Sequence, residues 1–108
     1  MPQYIQVVTT TARRAEAEEI AYSLIDERLA ACVQIVGPIT SIYRWEGKVE
    51  TSEEWQCLIK SRADLLPRLE ESLRRLHPYQ VPEILALTVL DGIADYLRWM
   101  EGELRAGH

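Results

Sequence analysis

The chain has 108 residues, of which 47% are hydrophobic and 27% charged, and its formal net charge is −5. This length predicts one domain over residues 1–108, and the apolar fraction excludes a chain that is disordered throughout. An acidic chain lacks the basic surface that binds a phosphate backbone, so no nucleic-acid partner is predicted. No signal peptide and no apolar run near the ~20 residues of a membrane span is found, so we expect no membrane association and a cytoplasmic location.

The first part of the chain predicts a strand followed by a helix. Residues 3–9 are rich in Ile, Val and Thr, which favour strands. Thr11 is the predicted helix N-cap. Apolar residues then recur at three- and four-residue spacing over residues 13–29, which is typical of an amphipathic helix.

The middle of the chain predicts a long β-hairpin. Residues 31–43 have the composition of a strand, with Pro38 marking a bulge or an edge. Glu46 and Gly47 are a good tight turn. From Val49 to Lys60 apolar and polar residues alternate, which indicates a strand with one buried face. Glu54 belongs to the polar face of this strand.

The two cysteines are predicted to lie apart in the hairpin. With the turn at residues 46–47 and no bulge, Cys57 lies opposite about Val36 and Cys32 opposite about Ser61. Two cysteines cannot form a disulfide framework, and both are expected to be buried as small hydrophobic residues.

The last part of the chain predicts helix, strand and helix. Leucines at helical spacing mark residues 64–77, and the almost unbroken apolar run 83–90 is typical of a central strand buried on both faces. Residues after 92 repeat apolar side chains at helical spacing. The order β-α-β-β-α-β with an extra C-terminal helix predicts an α+β, ferredoxin-like sandwich with an antiparallel sheet and two helices on one face.

Two segments could carry binding chemistry. The loop at residues 77–83 combines two prolines with an aromatic ring and a carboxylate, and it is predicted to present His77, Tyr79 and Glu83 to a ligand. The alternative interpretation is that the loop only connects the helix to the next strand, with Tyr79 packed and Glu83 hydrogen-bonded to the backbone. At the hairpin tip, Tyr43 and Trp45 cannot both be buried within so small a domain. They are predicted to anchor a subunit interface, and stacking on a ligand is the alternative.

The motifs of the whole chain resemble the CutA divalent-cation tolerance family. The matching segments, in order, are residues 27–32, 39–48, 58–61, 77–84 and 95–99. The resemblance implies a ferredoxin-like protomer, a tight homotrimer, a link to copper and other divalent cations, and no established catalytic activity. We therefore expect a non-enzymatic protein with a ligand cleft between subunits, lined by Tyr43, Lys60, Tyr79 and the loop residues His77 and Glu83.

The metal-binding residues of the family are only partly present. Some members carry a Cys near the end of the first strand and a second His before the His-Pro pair, and this chain has Thr9 and Leu76 there. Of the family's metal-binding residues this chain keeps His77, and Glu83 is predicted to be a second donor. This pair predicts weak binding of Cu(II) or another divalent cation, and no cofactor is required.

The same topology occurs in two other classes of protein. An acylphosphatase-like enzyme of phosphate chemistry could bind an anion at residues 9–14, but that class uses an Asn to orient water and this chain has none. An RNA-recognition module needs aromatic residues on its central strands and a basic surface, and this acidic chain has no aromatic residue in the run 83–90.

Overall fold

The computed structural model describes residues 2–107. The elements in chain order are β1 (Tyr4–Thr11), α1 (Arg14–Asp26), β2 (Cys32–Trp45), β3 (Lys48–Arg62), α2 (Leu66–Leu76), β4 (Leu85–Thr88) and α3 (Ala94–Glu103). The strands form an antiparallel sheet in the order β2-β3-β1-β4. This arrangement confirms the predicted ferredoxin-like α+β fold with its long hairpin and its C-terminal helix.

The core lies between one face of the sheet and the helices. Val7 of β1 and Ile59 of β3 are fully buried there, together with the apolar stripes of α1 and α2. Those stripes include Leu24 and Leu73, which are fully buried as their helical spacing predicted. Met100 belongs to the same cluster, so α3 also contributes to the core.

Helix α1 is shorter than predicted at both ends. Thr11 is the last residue of β1 rather than a helix cap, and Arg13 is the N-cap. At the other end the chain leaves the helix through Arg28, which has φ 58°, and the Leu29 amide donates to the Leu24 carbonyl at 3.0 Å. Leu29 is still buried, so the apolar stripe continues past the end of the helix.

The hairpin turn is at Glu46 and Gly47, as predicted. Their φ angles of 49° and 81° are both positive, which is the conformation of a two-residue turn that matches strand twist. The predicted irregularity at Pro38 is also confirmed, because the register shifts between Val36 and Ile39. The two strands extend well beyond the core, and every residue from Ile42 to the turn is exposed.

The bulge moves the cysteines by one position from the predicted register. Cys57 pairs with Ile35, and Cys32 pairs with Lys60. The predictions of Val36 and Ser61 were wrong because they assumed a continuous ladder. Cys57 is fully buried as expected, whereas Cys32 is only partly buried.

The bulge also needs a residue without a side chain. A Cβ at Gly37 would lie 2.5 Å from Cε3 of Trp55, well inside van der Waals contact. The indole ring of Trp55 therefore packs against the backbone of β2 at this point.

Strand β4 corrects the sequence-based prediction. The apolar run predicted a central strand buried on both faces, but β4 pairs only with β1 and lies at the edge of the sheet. All four of its residues are exposed, including Leu85 at 58% and Leu87 at 50%. An apolar run alone cannot distinguish a strand covered within its own protomer from one left for a partner. No helix among residues 2–107 is long and apolar enough to span a membrane.

Candidate functional site

The end of α2 places His77 against strand β1. The helix ends at Leu76, and His77 is extended because the next residue is Pro78. The side chain of His77 is buried, with Nε2 2.7 Å from the Thr10 carbonyl oxygen. A carbonyl oxygen only accepts, so Nε2 carries the proton and donates it.

The second ring nitrogen of His77 is also engaged. Nδ1 lies 3.1 Å from the Tyr79 amide nitrogen and accepts its hydrogen bond. The imidazole and phenol rings are in contact, with centroids 4.8 Å apart. His77 therefore connects the loop after α2 to the end of β1, and its two nitrogens hold the backbone on either side.

Tyr79 extends from this loop across the sheet to Glu54 of β3. Its hydroxyl donates to Glu54 Oε2 at 2.8 Å. Glu54 is 7% exposed, although the alternation along β3 placed it on the polar face. Burial, followed by the hydrogen bond to Glu54, raises the pKa of the Tyr79 phenol well above its ordinary value, so the phenol stays a donor.

These side chains line a cleft of about 640 Å³ between the hairpin and the loop after α2. We call it the hairpin cleft, and its principal residues are Thr10, Tyr43, Trp45, Glu54, Tyr79 and Glu83. One wall is aromatic and comes from β2 and the loop. The floor is polar and comes from β1 and β3.

A second carboxylate lies in the hairpin cleft. Burial, and then the charge of Glu54, raises the pKa of Glu83 above its ordinary value. Both carboxylates line the same cleft, and a negative charge disfavours the ionisation of a second carboxyl group in its neighbourhood. The cleft carries negative charge, with aromatic rings beside it.

The hairpin contributes the outer wall of the cleft. Tyr43 is 44% exposed and Trp45 is 47% exposed. The Tyr43 hydroxyl lies 3.1 Å from Ser52 Oγ across the two hairpin strands. Both side chains thus line the cleft and are also partly exposed to solvent.

Lys60 lies elsewhere in the protomer. It pairs with Gln6 at the far end of β1, and its ammonium group donates to the Gln6 side-chain oxygen. It is six residues from Glu54 along β3, which is about 20 Å at ~3.3 Å per residue. The structure therefore brings Tyr43, Trp45, Tyr79 and Glu83 together, with His77 behind Tyr79, but not Lys60.

No group of three or more His, Cys, Asp and Glu side chains within residues 2–107 is placed to hold a metal ion. At the two positions that the sequence analysis compared with further ligands of the family, Thr9 is fully buried and Leu76 is partly buried. The hydrogen bonds of the His77 ring oppose metal binding by the predicted donors His77 and Glu83. A metal at Nδ1 has to displace the Tyr79 amide, and a metal at Nε2 has to displace the proton shared with Thr10. These residues are therefore not preformed to bind a metal.

Sequence reasoning missed Glu54. Its position in the alternating pattern indicated a solvated carboxylate like its neighbours on the polar face. The neighbouring Glu53 falls on the apolar side of the alternation, and in the structure Glu53 is exposed. Alternation separates the two faces of β3, but it does not show that Tyr79 of the loop after α2 contacts Glu54.

Comparison with known proteins agrees with the motifs and the fold. Residues 5–103 match the family model of the CutA1 divalent ion tolerance protein. A divalent-cation tolerance protein CutA of Thermus thermophilus is 46% identical over 94 residues, covering 87% of this chain and 91% of that protein. A chloroplastic CutA protein of Arabidopsis thaliana is 42% identical over 101 residues, or 94% of this chain and 56% of that longer protein.

A solved structure extends the comparison to three dimensions. The crystal structure of CutA1 from Oryza sativa superposes with a TM-score of 0.93 at 42% sequence identity, covering 95% of this chain and 94% of that one. The matched segment of the family model contains all three helices, strands β2 to β4, β1 from its second residue onward, and the complete hairpin cleft. On these findings the chain belongs to the CutA1 divalent ion tolerance family.

Proposed function

We propose that this chain is a non-enzymatic CutA protein that acts as a homotrimer and binds a small ligand or a divalent cation between its subunits. The observation that carries the proposal is the amount of apolar surface that one protomer leaves open. Leu90 is 96% exposed, and Ile42 is 71% exposed. Large apolar patches on a protein surface mark interaction sites.

The exposed surface is arranged for self-association. The edge strand β4 presents Leu85 and Leu87, together with the unpaired backbone groups of its outer side. The hairpin extends Ile42, Tyr43 and Trp45 away from the core. An open strand edge is a template for another chain, and closed symmetry covers such edges without open-ended polymerisation. A threefold arrangement of hairpins over neighbouring edges satisfies both requirements.

The same arrangement supports a ligand cleft between subunits. The hairpin cleft opens beside the side chains that we assign to the interface, so a neighbouring protomer closes its outer side. Lys60, which is distant within one protomer, contributes in this proposal from the neighbouring copy. The proposal is non-enzymatic because the His77 ring binds the backbone through both nitrogens and is not poised as a base.

Divalent cation binding remains part of the proposal in a weak form. The family relationship supports it, and His77 with Glu83 are the proposed donors. Because both His77 nitrogens are already hydrogen-bonded, binding has to offset the loss of one of those bonds. The relatives' names describe ion tolerance, so an acylphosphatase-like activity is not proposed.

We also propose a cytoplasmic location. The Arabidopsis relative is named as chloroplastic, so members of this family work in more than one compartment. The low cysteine content supports a reducing compartment.

Light scattering coupled to size exclusion tests the assembly. We expect a mass three times the 12.4 kDa of one chain, and a monomer mass at micromolar concentration contradicts the proposal. Calorimetric titration with Cu(II) tests the cation. The wild type, His77→Ala and a chain without His108 are compared, and tight binding that survives His77→Ala rejects the proposed donors.

A further inference from the structure

The carboxylate of Glu54 forms no ion pair with a cationic side chain among residues 2–107. Seven ion pairs are formed among the described residues, and Glu54 is in none of them. Its one hydrogen bond is to the neutral phenol of Tyr79 through Oε2. A carboxylate that is more than nine-tenths buried normally has a positive partner, because its desolvation is costly.

The second oxygen of Glu54 is open to the hairpin cleft. Thr9 Oγ1 is the buried side-chain oxygen or nitrogen that lacks a partner among residues 2–107. Oε1 of Glu54 is not sealed in this way, and Glu54 lines the cleft. The buried carboxylate thus has one oxygen that can accept a hydrogen bond from a ligand in the hairpin cleft.

The other side chains that line the hairpin cleft also favour a ligand with a positive charge. Glu83 adds a second carboxylate to the lining of the same cleft. Tyr43, Trp45 and Tyr79 provide aromatic rings in this lining. An aromatic face attracts a cation that has lost part of its hydration shell. A carboxylate accepts hydrogen bonds from the N–H groups of such a cation and so orients it.

We propose that the hairpin cleft binds a guanidinium or alkylammonium group, held by Glu54 and Glu83 and stacked on the aromatic wall. This deepens the proposed function, and it rests on that proposal only in treating the cleft as a binding site of a non-enzymatic protein. The group is carried by a free organic cation or by a basic side chain of a neighbouring copy. Both sources offer the same chemistry to the cleft.

A bare divalent cation fits this cleft less well than an organic cation. Calcium takes about six to eight oxygen ligands, and a structural zinc site takes about four protein donors. The carboxylates of the cleft come from Glu54 and Glu83, and one oxygen of Glu54 is already occupied by Tyr79. Aromatic rings give a hard cation no ligands, but they suit the flat guanidinium plane.

The test uses the full chain in its assembled state and three probes. Butylguanidinium and butylammonium carry the charge, whereas butylurea is a neutral analogue of the first. Each is titrated by calorimetry into the wild type, Glu54→Gln and Glu53→Gln. Gln at position 54 can still accept the Tyr79 hydrogen bond, and Glu53 is an exposed neighbour whose replacement changes the net charge equally.

A free ligand and a neighbouring side chain give different supporting results. For a free ligand, the cationic probes bind the wild type and Glu53→Gln alike, Glu54→Gln weakens binding about tenfold or more, and butylurea does not bind. For a neighbouring side chain, the probes do not enter the assembled wild type. In that case Glu54→Gln dissociates the assembly at a concentration where Glu53→Gln stays intact.

The proposal is overturned if butylurea binds as well as butylguanidinium, or if Glu54→Gln changes neither binding nor assembly. Should Glu54→Gln fail to fold, Glu83→Gln, which changes a partly accessible carboxylate of the same cleft, replaces it in the same comparison. A monomeric wild type rejects the trimer but leaves the probe titration readable, so the two proposals can fail separately.

Discussion

The hydroxyl of Tyr79 donates a 2.8 Å hydrogen bond to the carboxylate of Glu54, which joins the loop after α2 to strand β3. The two residues are 25 positions apart in the sequence. The contact holds a buried negative charge beside the aromatic wall of the hairpin cleft. Together with the two hydrogen bonds of the His77 ring, it holds the loop that carries Glu83 against the sheet.

Replacing Tyr79 with Phe should destabilise the protein. The change removes the donor to a buried carboxylate, and a hydrogen bond to a charged group contributes on the order of 2 kcal/mol. Urea unfolding followed by circular dichroism measures the loss. Tyr43→Phe is the matched control, because its hydroxyl contacts Ser52 at an exposed position and should contribute less. Equal effects of the two variants contradict the assigned role of Tyr79.

His77→Ala should destabilise the protein in the absence of any metal. The imidazole donates to the Thr10 carbonyl and accepts from the Tyr79 amide, so truncation leaves two backbone groups without their partner. We expect a loss of about 2–3 kcal/mol in the free energy of unfolding. Thermal and urea unfolding in the presence of a chelator measure it. If the loss is seen only after metal is added, the ring is a ligand and not a structural connection.

The carboxyl group of Glu83 should titrate above its ordinary range. Its pKa is raised by burial and by the charge of Glu54, so the folded state binds this proton more tightly than the unfolded chain. Its contribution to stability is therefore present at low pH and is lost as the pH rises through the raised pKa. Carbon-detected NMR titration of the side-chain carboxyl measures the midpoint.

Glu54→Gln provides the matching test of this shift. Removing the charge at position 54 should lower the pKa of Glu83, while the part due to burial stays. Glu53→Gln should leave that pKa unchanged, because Glu53 does not contribute to the shift. A Glu83 midpoint that does not respond to Glu54→Gln shows that the two carboxylates do not interact.

Cys57 should resist alkylation in the folded protein. The thiol is fully buried, and burial raises its pKa to about 11, so very little thiolate is present at pH 8. Iodoacetamide labelling followed by mass spectrometry of the peptides measures the reaction. The urea-unfolded chain, in which Cys57 is accessible, is the control. Rapid labelling of Cys57 in the native state indicates that β3 opens locally.

Trp45→Ala should weaken assembly without unfolding the protomer. The indole is 47% exposed on the hairpin, where no core residue depends on it, and aromatic anchors at interface centres contribute about 2 kcal/mol or more. Light scattering over a dilution series measures the dissociation. Tyr22→Ala on α1 removes another exposed aromatic ring as a control. An unchanged assembly in Trp45→Ala places the interface elsewhere.

Much of the architecture follows from local patterns that the chain carries by itself. Helical spacing identified Leu24 and Leu73 as core residues, and both are fully buried. Glu46 and Gly47 identified the turn, because few residue pairs adopt two positive φ angles. The motifs around residues 39–48 and 77–84 indicated the family, which the comparisons confirm.

Other features required the folded chain, because they depend on residues distant in sequence. The apolar run 83–90 indicated a central strand buried on both faces, and this was wrong, since β4 pairs on one side only and its residues are exposed. Nothing local in β3 distinguishes Glu54 from its exposed neighbour, and its burial depends on the loop that brings Tyr79 across the sheet. The sequence indicated that the His77 ring is available as a metal ligand, but in the structure both of its nitrogens are hydrogen-bonded to backbone groups. Periodicity reports which side of an element is apolar, whereas the sheet order and the loop path decide what covers that side and which charges are left facing a cleft.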